Sequence, residues 1–315
     1  KKKPEIIRLI SKEMKRDSYL IEISSQKLKT SQALLKMPAK INPICIHPMF
    51  GQGAKKIKNN NIILVPIKDV KKELTVAKSL FQGANFVTID ARYVTPAPKN
   101  LSAVESASVW MQFMTAYYPI VELCKAAPGK HILATAATST AGNAALNIGA
   151  IFGANMIATT RFEENRDYLL ESGASHVIVS GNNELAATLR QMTDGHGIDA
   201  AFDPVGAGMI AQYSSALARD ATIFFYGTLD GIFPQLPIVD MFQANATFHP
   251  YSLFNYVEDP QMQTKGTAFV YNALEDGKLA PNIDRVYPME EYREAWEYLS
   301  QPRTKHGKVV IETGL

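Results

Sequence analysis

The sequence predicts an α/β protein: a doubly wound parallel sheet, preceded by a second, partial α/β segment. Three observations lead there. Residues 131–161, HILATAATSTAGNAALNIGAIFGANMIATTR, read as strand, tight turn, helix and second strand. Beyond them, strands expected at 155–160, 176–179, 198–203 and 221–226 alternate with helices at 163–172, 183–193 and 208–218. Residues 1–90 have their own alternation in a different composition, rich in Lys, Ile and Asn where the remainder is rich in Ala, Gly and Thr.

With 315 residues and 46% hydrophobic composition, the chain can bury a sizeable core in each of two or three domains. No apolar run approaches the roughly 18 residues of a membrane span, and no apolar h-region follows the lysine-rich start. A cytoplasmic protein without membrane association is expected. Cys45 and Cys124 lie far apart and suggest buried reduced thiols rather than a disulfide framework. The net charge of +3 conceals a division: residues 1–90 hold 18 Lys and Arg against 7 Asp and Glu, the rest 15 against 23. The basic residues follow regular helix and strand patterns with little aromatic interleaving, which reads as a solvated surface and not a nucleic-acid interface.

In residues 1–90, Glu5 to Lys15 carries Ile6, Ile7, Leu9, Ile10 and Met14 at amphipathic helical spacing. Strands follow at 19–24, 43–48, 61–67 and 85–89, with helices at 28–37 and 70–82, the last stopped by Gly83. Short, mostly apolar strands imply a parallel sheet. ICIHPMFGQGA, residues 44–54, puts His47 at the end of a strand before a Gly-rich loop, the edge on which open α/β sheets bind ligands. With its HPMFG run this segment resembles prephenate dehydrogenase. The resemblance implies that His47, helped by Ser25, would contact the substrate in an NAD-dependent oxidative decarboxylation.

From residue 91 the pattern changes, somewhere within Asn85 to Tyr93. Pro96 and Pro98 hold an extended segment, Ser102 with Glu105 forms a capping box, and two helical stretches follow, broken near Pro119. After the strand at 131–136, Ala137, Ser139 and Gly142 stand at the spacing of the G-x-G-x-x-G fingerprint, in which small residues let a pyrophosphate approach a helix N-terminus. Thr138, Ser139, Thr140, Ala141 and Gly142 are therefore candidate cofactor-binding residues, at the start of a helix expected over 141–153. Where the second strand ends, an NAD site usually places Asp or Glu against the ribose 2′-hydroxyl. This chain has Thr159, Thr160 and Arg161, with Arg166 one turn on. A guanidinium in place of a carboxylate suits a 2′-phosphate, so NADP(H) is favoured.

Taken with TAYY at 115–118, ATTR at 158–161, GASHVI at 173–178, GIDAAFDPVG at 197–206, YGTLDG at 226–231 and GKVVI at 307–311, residues 91–315 resemble a zinc-independent medium-chain dehydrogenase/reductase of the quinone oxidoreductase type. The resemblance places Thr115, Asp203, Pro204, Val205, Tyr226 and Gly227 against the cofactor, and residues 263–315 in a returning part of the catalytic domain. There an amphipathic stretch at 266–276, strands at 284–288 and 308–312 and a helix at 290–299 are expected. Division at 1–90, 91–127, 128–262 and 263–315 follows. His131, His176, His196, His249 and His306 show no metal-ligand spacing, and neither a Walker loop nor a Ser-His-Asp arrangement is present. The favoured reading is an NADPH-dependent reductase of a quinone or α,β-unsaturated carbonyl, in a possible homodimer, with Tyr251, Phe254 and Tyr256 lining the substrate cleft and no catalytic group assigned. The alternatives are a prephenate dehydrogenase centred on Ser25 and His47, and a joined chain that binds NADP(H) as an inactive scaffold.

Overall fold

In the computed structural model the described residues are 3–23, 27–48, 61–82, 85–88, 93–179, 184–231, 236–301 and 306–312. They fall into two units, divided between Pro96 and Ala97.

The first unit runs α1 (Lys3–Glu13), β1 (Tyr19–Glu22), α2 (Lys27–Leu35), β2 (Asn42–Pro48), β3 (Asn61–Val65), α3 (Val70–Leu80) and β4 (Asn85–Thr88). Its four strands lie in chain order. Pairs β1–β2 and β3–β4 are parallel, but β2–β3 is antiparallel, with His47 opposite Ile63. The all-parallel expectation is thus corrected. A parallel pair needs a crossover element, and residues 49–60, GQGAKKIKNN with its flanks, carry no apolar helical period from which to build one. Strand composition alone is blind to direction. Alternation along the strands supplies two apolar faces: Cys45 and Val65 join Ile7, Leu34 and Met37, whereas Ile44, Ile46, Ile62 and Leu64 gather with Ala77. Glu73 is buried, and its carboxylate accepts the backbone N–H groups of Ile67, Lys68 and Asp69 at 3.0, 2.7 and 2.9 Å, which ties down the turn into α3. In α1 only part of the expected apolar stripe is covered; Ile6, Leu9 and Ile10 are exposed.

The second unit begins with α4 (Ala103–Tyr117), capped by reciprocal Ser102 and Glu105 hydrogen bonds as the sequence implies. No break occurs at Pro119. The chain widens instead into a π-helical turn, Tyr118–Leu123, closed by the Cys124 N–H on the Pro119 carbonyl at 2.8 Å. Proline cannot donate to the carbonyl four residues back, and a wider turn accommodates it without ending the helix. Then come β5 (His131–Ala134), α5 (Thr140–Ile151), β6 (Asn155–Thr160), α6 (Arg166–Glu171), β7 (His176–Val179), α7 (Leu185–Met192), β8 (Ile198–Asp203), α8 (Ala207–Tyr213), β9 (Leu217–Phe225), α9 (Ile238–Ala244) and β10 (Thr247–Pro250).

These six strands form one parallel sheet in the order β10-β9-β8-β5-β6-β7. The expected doubly wound sheet is present. Ile132, Ala134, Met156, Ala158, Phe202 and Phe224 face one core with α4 and α5; Leu133, Ile157, Ala201 and Ile223 face another with α7 and α8. Sequence reading missed β10, four residues carrying His249 and Pro250 on the sheet edge, where proline is tolerated. It also carried the preceding helix to 218, whereas β9 already starts at Leu217 after a short turn over Ser214–Ala216. The unit closes with α10 (Phe254–Val257), α11 (Pro260–Glu275), β11 (Ile283–Pro288), α12 (Tyr292–Ser300) and β12 (Lys308–Glu312), β11 and β12 pairing in parallel. No helix among the described residues is long and apolar enough to cross a membrane.

Candidate dinucleotide-binding site

Order reversal in the sheet falls at β5, between β6 and β8, and the turn after β5 carries the fingerprint. In doubly wound sheets ligands bind outside the carboxyl ends of the strands at such a switch point. Ala136 occupies the left-handed region at φ 46°, a conformation that L residues rarely adopt. The Ala137 N–H then reaches across to the Thr159 carbonyl at 3.2 Å. Ser139 caps α5, its Oγ accepting the Gly142 N–H at 3.1 Å. A Cβ on Gly142 would stand 2.8 Å from both the Ala136 carbonyl oxygen and the Ala137 Cα, so the third fingerprint position must be glycine. The first-turn N–H groups of Thr140 and Ala141 find no acceptor inside the helix and stand at its positive end, two and three residues after Thr138.

At the end of β6, Thr160 is buried and Arg161 exposed, its guanidinium 5.5 Å from the Phe162 ring centre. Arg166, expected to assist it, is spent on a fork with the Glu163 carboxylate and a 2.9 Å hydrogen bond to the Val177 carbonyl. Among the described residues, Arg161 is the cation exposed at this strand end.

Two further loops meet at the same edge. Asp203 is fully buried, with four donors on its carboxylate: Thr135 Oγ1 at 2.7 Å, the Val205 and Gly206 N–H groups at 2.7 and 3.2 Å, and Tyr213 Oη at 2.9 Å. This carboxylate shapes the Val205 loop. Gly227 presses on it, for a Cβ there would lie 2.9 Å from Pro204 Cβ. The Tyr226 ring stacks on Phe202 at 3.9 Å, and its hydroxyl is buried with no hydrogen-bond partner. Burial pushes that phenol far up; nearby Ser139 pulls it back a little without reaching hydrogen-bond geometry. A buried orphan hydroxyl is costly unless a ligand supplies its partner, and this one adjoins the fingerprint turn. Together with the glycine-lined turn, it fits a dinucleotide cofactor.

The remaining candidates are more dispersed. Thr115 donates its hydroxyl to the Met111 carbonyl at 2.6 Å, one turn back in α4. Tyr251 is buried with an unpartnered hydroxyl, Tyr256 bonds His249 Nε2 at 3.2 Å, and Phe254 is exposed. Ser25 lies outside the described residues; His47 is placed only by its backbone, near the end of β2. Cys124 is half-buried rather than buried as expected, with burial raising its thiol to about 11 and Lys130 acting against that rise. Sequence reading missed Ala136 as a loop-shaping residue; it set Asp203 at the cofactor edge, and the structure shows that carboxylate taken up by four donors within the protein.

At the opposite edge, Asp199 joins Lys130 Nζ at 2.9 Å, the His131 N–H at 2.8 Å and His196 Nε2 at 3.3 Å. Burial opposes its ionisation, but these donors outweigh it and lower its pKa. A cavity of about 230 Å³ between Arg190, His196, Ser215, Arg219 and Asp240 also lies there, at the start of β9, away from the fingerprint turn. Among the described residues no group of three or more His, Cys, Asp or Glu is arranged to hold a metal ion.

Fold and turn together define a dinucleotide-binding domain of the doubly wound class. The zinc-binding dehydrogenase family model matches residues 172–311. That match lies within the second unit, Ala97–Glu312. The chain is 28% identical over 219 residues to a quinone oxidoreductase-like protein 2 homolog of Nematostella vectensis, covering 69% of this chain and 60% of that one. A solved 2-haloacrylate reductase superposes with a TM-score of 0.65 at 23% identity, over 70% of this chain and 69% of its own. A mycobacterial protein solved with NADPH superposes at 0.65 and 21%, over 71% and 69%. The chain spans three fifths of the quinone oxidoreductase-like relative and 11% of a Mycolicibacterium smegmatis polyketide synthase that it matches at 30% identity.

Proposed function

We propose that residues 97–312 bind NADP(H) and serve hydride transfer to an electron-poor carbon of a small quinone or α,β-unsaturated carbonyl compound. The observation that carries the cofactor reading is Arg161, exposed at the end of β6 where an NAD site has a carboxylate. The structural neighbour solved with NADPH supports it, as the quinone oxidoreductase-like and 2-haloacrylate reductase relatives support the substrate class.

When bound, the cofactor supplies the hydride. The chain's contribution is to hold and orient. The N–H groups of Thr140 and Ala141 would hold the pyrophosphate, Arg161 would pair with the 2′-phosphate, and Thr115 and the Val205 and Gly227 loops would hold the rest of the cofactor. Tyr226 would donate its buried hydroxyl to the bound molecule. Its pKa, raised by burial, keeps it a neutral donor at ordinary pH.

Titration of the full chain with NADPH and NADH, in wild type and Arg161→Ala, tests the reading. Arg161→Ala is expected to cost NADPH about ten- to a hundredfold in affinity and NADH less than about twofold. No NADPH preference in wild type would overturn it.

A further inference from the structure

The loop that carries Arg161 is held by a residue distant in sequence. Thr160 Oγ1 accepts the Phe162 N–H at 3.3 Å and Asn165 Nδ2 at 2.8 Å. Because Nδ2 of Asn165 is turned to Thr160, its Oδ1 is the atom that meets His306 Nε2, at 2.8 Å. An amide oxygen only accepts, so His306 Nε2 carries the hydrogen and donates it. The imidazole stacks on Tyr168 at 4.6 Å, and Tyr168 Oη in turn accepts from Asn282 Nδ2 at 2.8 Å. Thr160 and Asn165 are both buried.

The approach of His306 is built into its neighbours. Gly307 has φ 135°, and a Cβ there would stand 2.7 Å from Asn282 Oδ1 and from the Asp284 N–H nitrogen. The Lys308 N–H bonds the Asn282 carbonyl at 2.8 Å. Chain entering β12 is therefore pressed against residues 282–284, with the imidazole delivered to Asn165.

We propose that His306 is a positioning residue for recognition of the 2′-phosphate. It orients Asn165, Asn165 fixes the Thr160 hydroxyl, and that hydroxyl sets the Phe162 backbone and the ring beside which the Arg161 guanidinium lies. Loss of the first link leaves Arg161 charged but poorly ordered, so a phosphate must pay to order it. A ribose bearing a plain 2′-hydroxyl does not use the guanidinium and is spared. The inference rests on the NADP(H) reading above.

The test is equilibrium titration of the full chain with NADPH and with NADH, for wild type, Arg161→Ala, His306→Phe, His306→Gln and the double variant Arg161→Ala/His306→Phe. Phenylalanine keeps a ring on Tyr168 without the donor; glutamine restores a donor. His306→Phe is expected to weaken NADPH about tenfold, the scale of one lost hydrogen bond, with NADH changed less than about twofold. His306→Gln is expected to recover most of the loss, and the His306→Phe effect to vanish in an Arg161→Ala background. Equal weakening of both nucleotides in His306→Phe, or unchanged discrimination, overturns the inference while Arg161 stands. A wild type that does not discriminate overturns the cofactor reading and the inference with it.

Discussion

Tyr226 links the stability of the protein to its ligand. Its hydroxyl is buried without a partner, against a ring stack with Phe202 that fixes its place. Removing an unsatisfied buried group relieves a penalty, so Tyr226→Phe is expected to stabilise the ligand-free protein by about 1 kcal/mol and to weaken NADPH about tenfold. Chemical denaturation and nucleotide titration read the two effects; a destabilised variant would show that the hydroxyl already has a partner. Cys124 behaves in the opposite sense. A thiol raised to about 11 by burial is almost wholly protonated at neutral pH, and the thiolate is the nucleophile. Alkylation of Cys124 at pH 8 is expected to run about a hundredfold slower than for an ordinary cysteine and to rise about tenfold per pH unit towards 11. Peptide mapping after a timed pulse of iodoacetamide measures it, and rapid labelling at pH 8 contradicts the assignment.

At the scale of an element, the β5–α5 turn separates two kinds of glycine. Gly142 faces backbone: an added Cβ would meet the Ala136 carbonyl oxygen and the Ala137 Cα at 2.8 Å, which no side-chain movement relieves. Gly149 faces the Met156 side chain, a flexible neighbour able to swing aside. Gly142→Ala is expected to displace the α5 N-terminus, costing about 1–3 kcal/mol of stability and most of the nucleotide affinity. Gly149→Ala is expected to cost stability alone, so calorimetry and titration on the pair distinguish site from packing. This turn was legible in the sequence because its constraint is local: small residues at fixed spacing between two apolar strands. Direction of β3 was not, because Ile62 and Leu64 bury as well in either orientation. Nor was β10, whose four residues are too short to show a period, nor the π turn at Pro119, where the same residue that usually ends a helix is absorbed by a wider one. Likewise the second strand's end offered both Arg161 and Arg166, and only the structure shows Arg166 already paired with Glu163.

For the whole molecule, two units with separate cores divide the properties of the chain. The family match and all the proposed cofactor contacts fall in the second unit. Saturating NADPH at about a hundred times Kd is expected to stabilise that unit by about 2.7 kcal/mol. Hydrogen exchange is expected to slow in β5, α5, β6 and β8, leaving β1 to β3 of the first unit unaffected; protection spread equally over both would contradict the placement. The central claim, that Arg161 makes this an NADP(H) domain, is tested most directly by titrating the full chain with NADPH and NADH in parallel at fixed ionic strength. NADPH is expected to bind at least about tenfold more tightly, an advantage lost in Arg161→Ala. Equal affinities for the two nucleotides, or an advantage that survives the substitution, would contradict it.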